Sequence, residues 1–136
     1  MTEHDLKIYI RCRAEERRLR GLLAEYESLL FSPRSPNISP CPTDRGGDTQ
    51  KKLTADIQRI EAVTKRLNDA IAKTAEAELI IDRARKELTG ASELNVFNEL
   101  YYIGNTIADI AEIYNYSIPS VYRIKSNILR KIANLN

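Results

Sequence analysis

Tryptophan is absent from this 136-residue chain, and phenylalanine, glycine, cysteine and histidine are scarce. Two phenylalanines and five glycines are thin material for a sheet protein but are ordinary for a helical one. A structural zinc site needs about four nitrogen or sulfur ligands at short spacing. Cys12, Cys41 and His4 do not supply that set. We therefore expect an all-α protein that uses no metal or other cofactor.

Long hydrophobic runs are missing as well. No stretch of about 18 apolar residues is present, so the sequence predicts no transmembrane helix and no membrane partner. The N-terminal residues lack the apolar core of a signal peptide, which favours a cytoplasmic location. Intracellular thiols are normally reduced, so we expect two inert cysteines, with a Cys12–Cys41 disulfide as the alternative.

The sequence also lacks the usual motifs of catalysis and nucleotide binding. Neither GxGxxG nor GxxxxGK[ST] occurs, and Gly46 and Gly47 form an isolated pair in a proline-rich stretch. The carboxylates stand at helical spacing among arginines and lysines, which is typical of solvated helix faces. The sequence therefore predicts that the protein is not an enzyme and has no small-molecule substrate.

Proline is concentrated in one place. Four of the five prolines fall within residues 32–48, together with Gly46 and Gly47, and this composition predicts a flexible linker. Long helical patterns flank it, which predicts an N-terminal helix over 1–31 and a long coiled-coil helix over 49–89. Gly90 is predicted to end the second helix in a left-handed conformation.

Apolar residues of the long helix recur at alternating steps of four and three. The predicted seam consists of Leu53, Ile57, Ile60, Leu67, Ile71, Ile81 and Leu88. A seam of this kind must be covered by the first helix, by a second chain, or by both. We expect a helical hairpin stalk in which the first helix and a second chain both cover the seam, and therefore a homodimer.

Residues 91–136 predict three further helices. Ser92 is expected to cap a helix over about 93–103 that ends at Gly104, and Thr106 forms a capping-box pair with Asp109 at the start of a helix over about 107–115. Ser117 is expected to cap a third helix that runs to about residue 133, with Pro119 in its first turn. Two helices joined by so short a turn predict a helix-turn-helix.

The helix-turn-helix interpretation makes specific demands on residue type. Ala111 provides a small residue where the two helices cross, and Asn115 tolerates the positive φ that the turn needs. An apolar inner face is predicted from Ile110, Ile113, Val121, Ile124 and Ile128. Tyr101, Tyr102, Tyr114 and Tyr116 are interpreted as packing residues.

Charge is divided unevenly within these three helices. Residues 117–136 contain four basic and no acidic residues, whereas residues 91–116 contain four acidic and no basic ones. A basic helix of this kind favours binding to double-stranded DNA, with Arg123 as the best candidate for reading guanine. The residues predicted to contact DNA are Thr106, Ser117, Ile118, Pro119, Ser120, Tyr122, Arg123, Lys125, Ser126, Asn127, Arg130 and Lys131.

The segment LYYIGNTIADIAEIYNYSIPSVYRIKSNILRKI resembles the region-4-like helix-turn-helix of sigma factors. Tyr102, Gly104 and Thr106 match the aromatic residue, glycine and cap of that pattern. The pair Ile110–Ala111 and the later Ser117, Val121 and Arg123 also match it. Tyr101, Asp109 and Asn115 depart from it, since arginine, glutamate and glycine are usual there.

The whole layout is similar to that of phage late-transcription regulators of the ArpU/RinA type. That resemblance implies a sequence-specific activator of late phage or prophage genes, acting in a bacterial host cell and contacting host RNA polymerase. Two alternatives stay open from the sequence. One is a small terminase-like subunit that recognises DNA for packaging, and the other is a helical interaction protein that docks RNA polymerase without touching DNA.

Overall fold

A computed structural model describes residues 1–31 and 46–135 of the chain, and side chains within these ranges except at 31 and 46–50. The elements are α1 (Glu3–Phe31), α2 (Gly46–Lys86), α3 (Ala91–Phe97), a π-helical segment that continues α3 (Asn98–Ile103), α4 (Ile107–Tyr114) and α5 (Ile118–Ile132). No strand occurs in these two ranges. The all-α prediction is therefore confirmed, whereas most of the predicted linker and Cys41 lie outside the described residues.

The bounds of α2 differ from the prediction at both ends. The helix begins at Gly46, within the predicted linker, and it ends at Lys86 instead of residue 89. After Lys86, the amides of Glu87 and Leu88 donate to the carbonyls of Ala84 and Arg85, each over 3.1 Å. Bonds to the carbonyl three residues back tighten the last turn and so close the helix early.

The predicted capping roles of Gly90 and Ser92 are wrong. Gly90 has extended backbone (φ −81°, ψ 137°) and is itself the N-cap of α3, which starts at Ala91 without a side-chain cap. The tightened turn has already ended α2, so no left-handed glycine is needed there. The predicted helix over 93–103 is present as α3 and its π-helical continuation.

The described chain divides into two compact units that cut across the predicted segments. The terminal unit contains Met1–Ala14 and the residues from Ile71 onward, and the hairpin unit contains Glu15–Ala70. Both α1 and α2 therefore supply residues to each unit.

In the hairpin unit, α1 and α2 bury a small core. Leu19, Val63, Leu67 and Ala70 are buried, and Leu22, Leu23 and Tyr26 pack against them. Of the predicted seam residues in this unit, Leu67 belongs to the core and Ile60 is half-buried. Leu53 and Ile57 are 45% and 40% exposed.

The buried stripe of α2 differs from the predicted seam by one column of residues. Val63, Ala70, Ala77 and Ala84 are buried, whereas the predicted Ile71 is 38% exposed. Predicted Ile81 and Leu88 are buried in the terminal unit. Small side chains allow helices to approach closely, so the column of Val63 and the three alanines is buried beside Leu67 and Ile81, and the column of Ile57 and Ile71 is partly exposed.

The terminal unit is built around a larger core. Its fully buried residues come from all of its helices and include Leu6, Ile81, Val96, Phe97, Tyr101, Ile110, Val121, Ile128 and Ile132. Leu6 and Tyr9 of α1 pack in this core beside the three C-terminal helices. The first turns of α1 therefore support the helix-turn-helix, a role that the division into stalk and C-terminal module did not predict.

Candidate nucleic-acid interface

The start of α4 is stabilised by its own side chains. The hydroxyl of Thr106 accepts a hydrogen bond from the amide of Asp109 over 3.2 Å, and the carboxylate of Asp109 accepts one from the amide of Thr106 over 3.2 Å. The predicted capping box is confirmed. Gly104 precedes it with φ 95° and ends the π-helical segment, as predicted.

The turn between α4 and α5 is also the predicted one. Asn115 adopts the left-handed conformation (φ 56°, ψ 41°), and the amide of Tyr116 donates to the carbonyl of Ala111 over 2.9 Å. The hydroxyl of Ser117 accepts from the amide of Ser120 over 3.3 Å, which confirms Ser117 as the cap of α5. These bonds set the direction in which α5 leaves the turn.

The inner face of the helix-turn-helix contains most of the predicted residues. Ile110, Ala111, Val121 and Ile128 are buried and Ile124 is half-buried, but Ile113 is 58% exposed. The prediction for Ile113 is wrong. The inward positions of α4 are 107, 110, 111 and 114, and at 100° per residue position 113 falls on the outer surface.

One face of α5 is open along its length. Its exposed positions are Ile118, Pro119, Tyr122, Arg123, Ser126, Arg130 and Lys131, and the exposed caps Thr106 and Ser117 lie at the starts of α4 and α5. Ser120 and Asn127 are half-buried on one flank. The structure thus brings most of the predicted DNA-contacting residues onto one helix and its cap.

The four cationic side chains of α5 form two groups, the two lysines and the two arginines. Lys125 Nζ lies 2.9 Å from Glu3 Oε1, and Lys131 Nζ lies 2.7 Å from Glu93 Oε2. Arg123 and Arg130 make no hydrogen bond or ion pair with the described part of the chain. The two arginines are therefore free to meet an outside anion, while both lysines are engaged within the protein.

Glu3 connects α1 to this helix. Its carboxylate pairs with Lys125, lies 3.5 Å from Lys7 Nζ and accepts a hydrogen bond from the Tyr101 hydroxyl over 3.1 Å. Burial opposes ionisation of Glu3, but its hydrogen bond and charge interaction with Lys125 and the charge of Lys7 outweigh it and lower its pKa. Burial raises the pKa of Tyr101, and the adjacent Glu3 carboxylate raises it further.

The tyrosines of the C-terminal helices are packing residues, as interpreted from the sequence. Tyr101 is buried, Tyr102 stacks on Tyr9 with ring centroids 5.2 Å apart, and Tyr114 stacks on Tyr116 at 5.9 Å. Tyr122 differs from them because it is 53% exposed on the open face of α5.

Lys7 and Arg11 were not among the predicted site residues. They line a shallow groove that also contains Thr106 and Lys125. Their spacing of four residues places them on one face of α1, but no local signal relates that face to a helix more than ninety residues further along the chain.

Within residues 1–31 and 46–135, no helix is both long and apolar enough to cross a membrane. Compared with models of protein families, with curated proteins and with solved structures, the chain matches none of them. The resemblance to sigma factors and phage regulators therefore stays a prediction from the sequence.

Proposed function

We propose that the protein is a sequence-specific DNA-binding transcription regulator that inserts α5 into the major groove. The observation that carries this proposal is the open face of α5, which presents Tyr122, Arg123 and Ser126 on a helix held in place by the Asn115 turn and the Ser117 cap. A recognition helix reads bases from its N-terminal half, and Tyr122 and Arg123 lie there.

Arg123 and Arg130 have different proposed roles. Arg123 lies near the start of α5 and has no internal partner among the described residues, so its guanidinium can bond guanine O6 and N7 together. Arg130 is exposed two turns further along and is suited to a backbone phosphate. Lys125 and Lys131 contribute less free charge because carboxylates already pair with them.

The proposal includes a homodimer formed through the hairpin unit. Leu53 and Ile57 belong to the predicted seam, yet α1 leaves 45% and 40% of their surfaces exposed. A second copy that covers them would give a dimer with two recognition helices. The resemblance to phage regulators extends the proposal to the control of late phage genes in a bacterial host, with RNA polymerase as a further partner.

Selection from a pool of random duplexes at ~150 mM salt tests the proposal, because nonspecific binding is weak under such conditions. The wild-type protein should enrich one motif. Arg123→Ala should lose or relax the preference at one position of that motif, since each bidentate contact is worth about 1–3 kcal/mol of discrimination.

Arg130→Ala is the matched control on the same helix. It should weaken binding to all sequences about equally, because a phosphate contact carries no base information. If neither the wild-type protein nor Arg130→Ala enriches any motif, the proposed regulator is wrong and a protein-docking role is favoured instead.

A further inference from the structure

A shallow groove lies beside the start of α4 in the terminal unit. The first three turns of α1 form one wall with Glu3, Lys7, Ile10 and Arg11. The opposite side contains Tyr101, Asn105, Thr106, Ile107 and Lys125. The groove therefore joins α1 to two residues that the sequence predicts to contact DNA, Thr106 and Lys125.

The charge of this groove is positive. Lys7, Arg11 and Lys125 supply three cationic groups and Glu3 one carboxylate, so the net charge of its lining is +2. Half of the Lys7 side chain (51%) is exposed although it lies 3.5 Å from Glu3. Arg11 is exposed and has no ion pair with the described residues. A single carboxylate thus leaves most of this positive charge available.

We infer that Lys7 and Arg11 form a second phosphate-binding site for DNA, which extends the α5 interface onto α1. The partner is the DNA backbone, and the inference rests on the proposed function. Thr106 is the link between the two sites, since it lines the groove and caps the helix that precedes the recognition helix. A strand that passes the start of α4 next to an inserted α5 meets Lys7 and Arg11.

The role assigned to Lys7 and Arg11 is positioning without base reading. Side chains that contact phosphates fix the orientation of a protein on the duplex and raise affinity for every sequence. Glu3 opposes phosphate binding at this site, because its carboxylate lies in the groove and forms an ion pair with Lys125.

The test is a salt titration of DNA affinity by fluorescence anisotropy, on the selected site and on a random-sequence duplex. Lys7→Gln/Arg11→Gln should lower the slope of log Kd against log salt by about 2 on both duplexes, since each phosphate contact contributes roughly 0.9. Affinity at ~150 mM salt should fall roughly tenfold or more, and by the same factor on both duplexes.

Arg17→Gln/Lys65→Gln is the matched control. It also removes one lysine and one arginine, both exposed and outside the groove, and it should leave the slope unchanged. Lys7→Arg/Arg11→Lys keeps both charges and should keep the slope of the wild-type protein. Circular dichroism should give all variants the helical content of the wild-type protein, and thermal unfolding should show that each variant is folded.

Glu3→Gln should change the affinity for DNA in the opposite direction. Removing the carboxylate should tighten binding to both duplexes several-fold even though it weakens the contact between α1 and α5. Loss of folded protein cannot produce tighter binding.

The outcomes separate the two hypotheses. If the wild-type protein prefers its selected site and Lys7→Gln/Arg11→Gln behaves like the control, the second phosphate site is wrong and the proposed function stands. If the wild-type protein shows neither a preferred site nor a salt-dependent affinity, the proposed function is wrong and the inference falls with it.

Discussion

At the scale of single residues, the two positive-φ positions mark the ends of the π-helical segment and of α4, and capping side chains mark the starts of α4 and α5. Gly104 and Asn115 are the two described residues with left-handed backbone. A Cβ at Gly104 would meet two carbons of Ile10 at 3.6 and 3.7 Å, which is ordinary contact. A substitution there is therefore costly because of the backbone conformation and not because of crowding.

Asn115 should show this backbone cost directly. Asn115→Ala is expected to destabilise the protein by about 1 kcal/mol, because alanine adopts the left-handed conformation less readily. Asn115→Gly should be neutral or stabilising by roughly a few tenths of a kcal/mol, since glycine adopts the left-handed conformation freely. Urea unfolding of both variants checks the prediction, and equal losses of stability would contradict it.

Glu3 predicts a pH dependence of stability. Its pKa is lowered in the folded state, chiefly because Lys125 and Lys7 outweigh the effect of burial. The stabilisation is therefore present above the pKa of the unfolded carboxyl, about 4.3, and is lost as pH falls through the lower folded value. Glu3→Gln should cost about 1 kcal/mol at neutral pH and progressively less below about pH 4.

Urea unfolding between neutral pH and about pH 3 measures this difference. Glu87→Gln is the control, because Glu87 is exposed and makes no ion pair within the described residues. A Glu3→Gln deficit that persists unchanged at acid pH would show that the Glu3 charge does not stabilise the fold.

At the scale of elements, α2 carries two apolar columns, one on each side of Leu67 and Ile81, and only one of the two columns is buried. The column of Val63, Ala70, Ala77 and Ala84 is buried together with Leu67 and Ile81, whereas Leu53, Ile57 and Ile71 remain partly exposed. A heptad pattern locates the apolar side of a helix, but it does not decide which of two adjacent columns faces the neighbouring helix. That choice depends on side-chain volume in the packed structure.

Substitutions at a buried and at a partly exposed seam position of α2 should separate folding from association. Leu67→Ala is expected to destabilise the hairpin unit by about 2–4 kcal/mol, because it leaves a cavity in a small core. Ile57→Ala should cost less than about 1 kcal/mol in the monomer, since a large part of this side chain is already in water. Hydrogen exchange of hairpin-unit amides at low protein concentration measures both, and equal effects would contradict the assignment.

At the scale of the whole molecule, the helix pair α1–α2 takes part in both compact units. Leu6 and Tyr9 complete the core of the helix-turn-helix, while Leu19 and Tyr26 pack in the hairpin unit. The N-terminal residues therefore contribute buried side chains to the core of the C-terminal helices. They also place Lys7 and Arg11 beside the start of α4.

The proposed homodimer predicts a mass and a binding-site geometry. Light scattering should give the mass of two chains, and the selected DNA should contain two half-sites about 34 Å apart, one helical turn. Leu53→Lys/Ile57→Lys should give the mass of one chain and should bind a single half-site as well as the wild-type protein does.

Leu79→Lys/Ile113→Lys is the matched control for this measurement. It also places two lysines at exposed apolar positions, in the terminal unit, and should keep the mass of two chains. A wild-type protein that has the mass of one chain at all concentrations would contradict the dimer, and a ring of eight or more chains would favour the terminase-like alternative.

The sequence by itself determined the features that depend on neighbours three or four residues apart. Helical class, the capping box of Thr106 and Asp109, the left-handed Asn115 and the Ser117 cap all follow from local hydrogen bonding and backbone preference. The open face of α5 follows in the same way from helical periodicity. Local interactions of this kind are readable because both partners lie within one turn of the chain.

Tertiary structure alone decided which side chains are free and which are engaged. Lys125 pairs with Glu3 and Lys131 with Glu93, partners that lie 122 and 38 positions away in the chain, so composition could not distinguish these lysines from Arg123 and Arg130. The exposure of Ile113, the alanine column of α2 and the groove of Lys7 and Arg11 likewise depend on how separate helices pack. Packing brings together residues that are distant in sequence, and a local sequence pattern does not determine which distant residues meet.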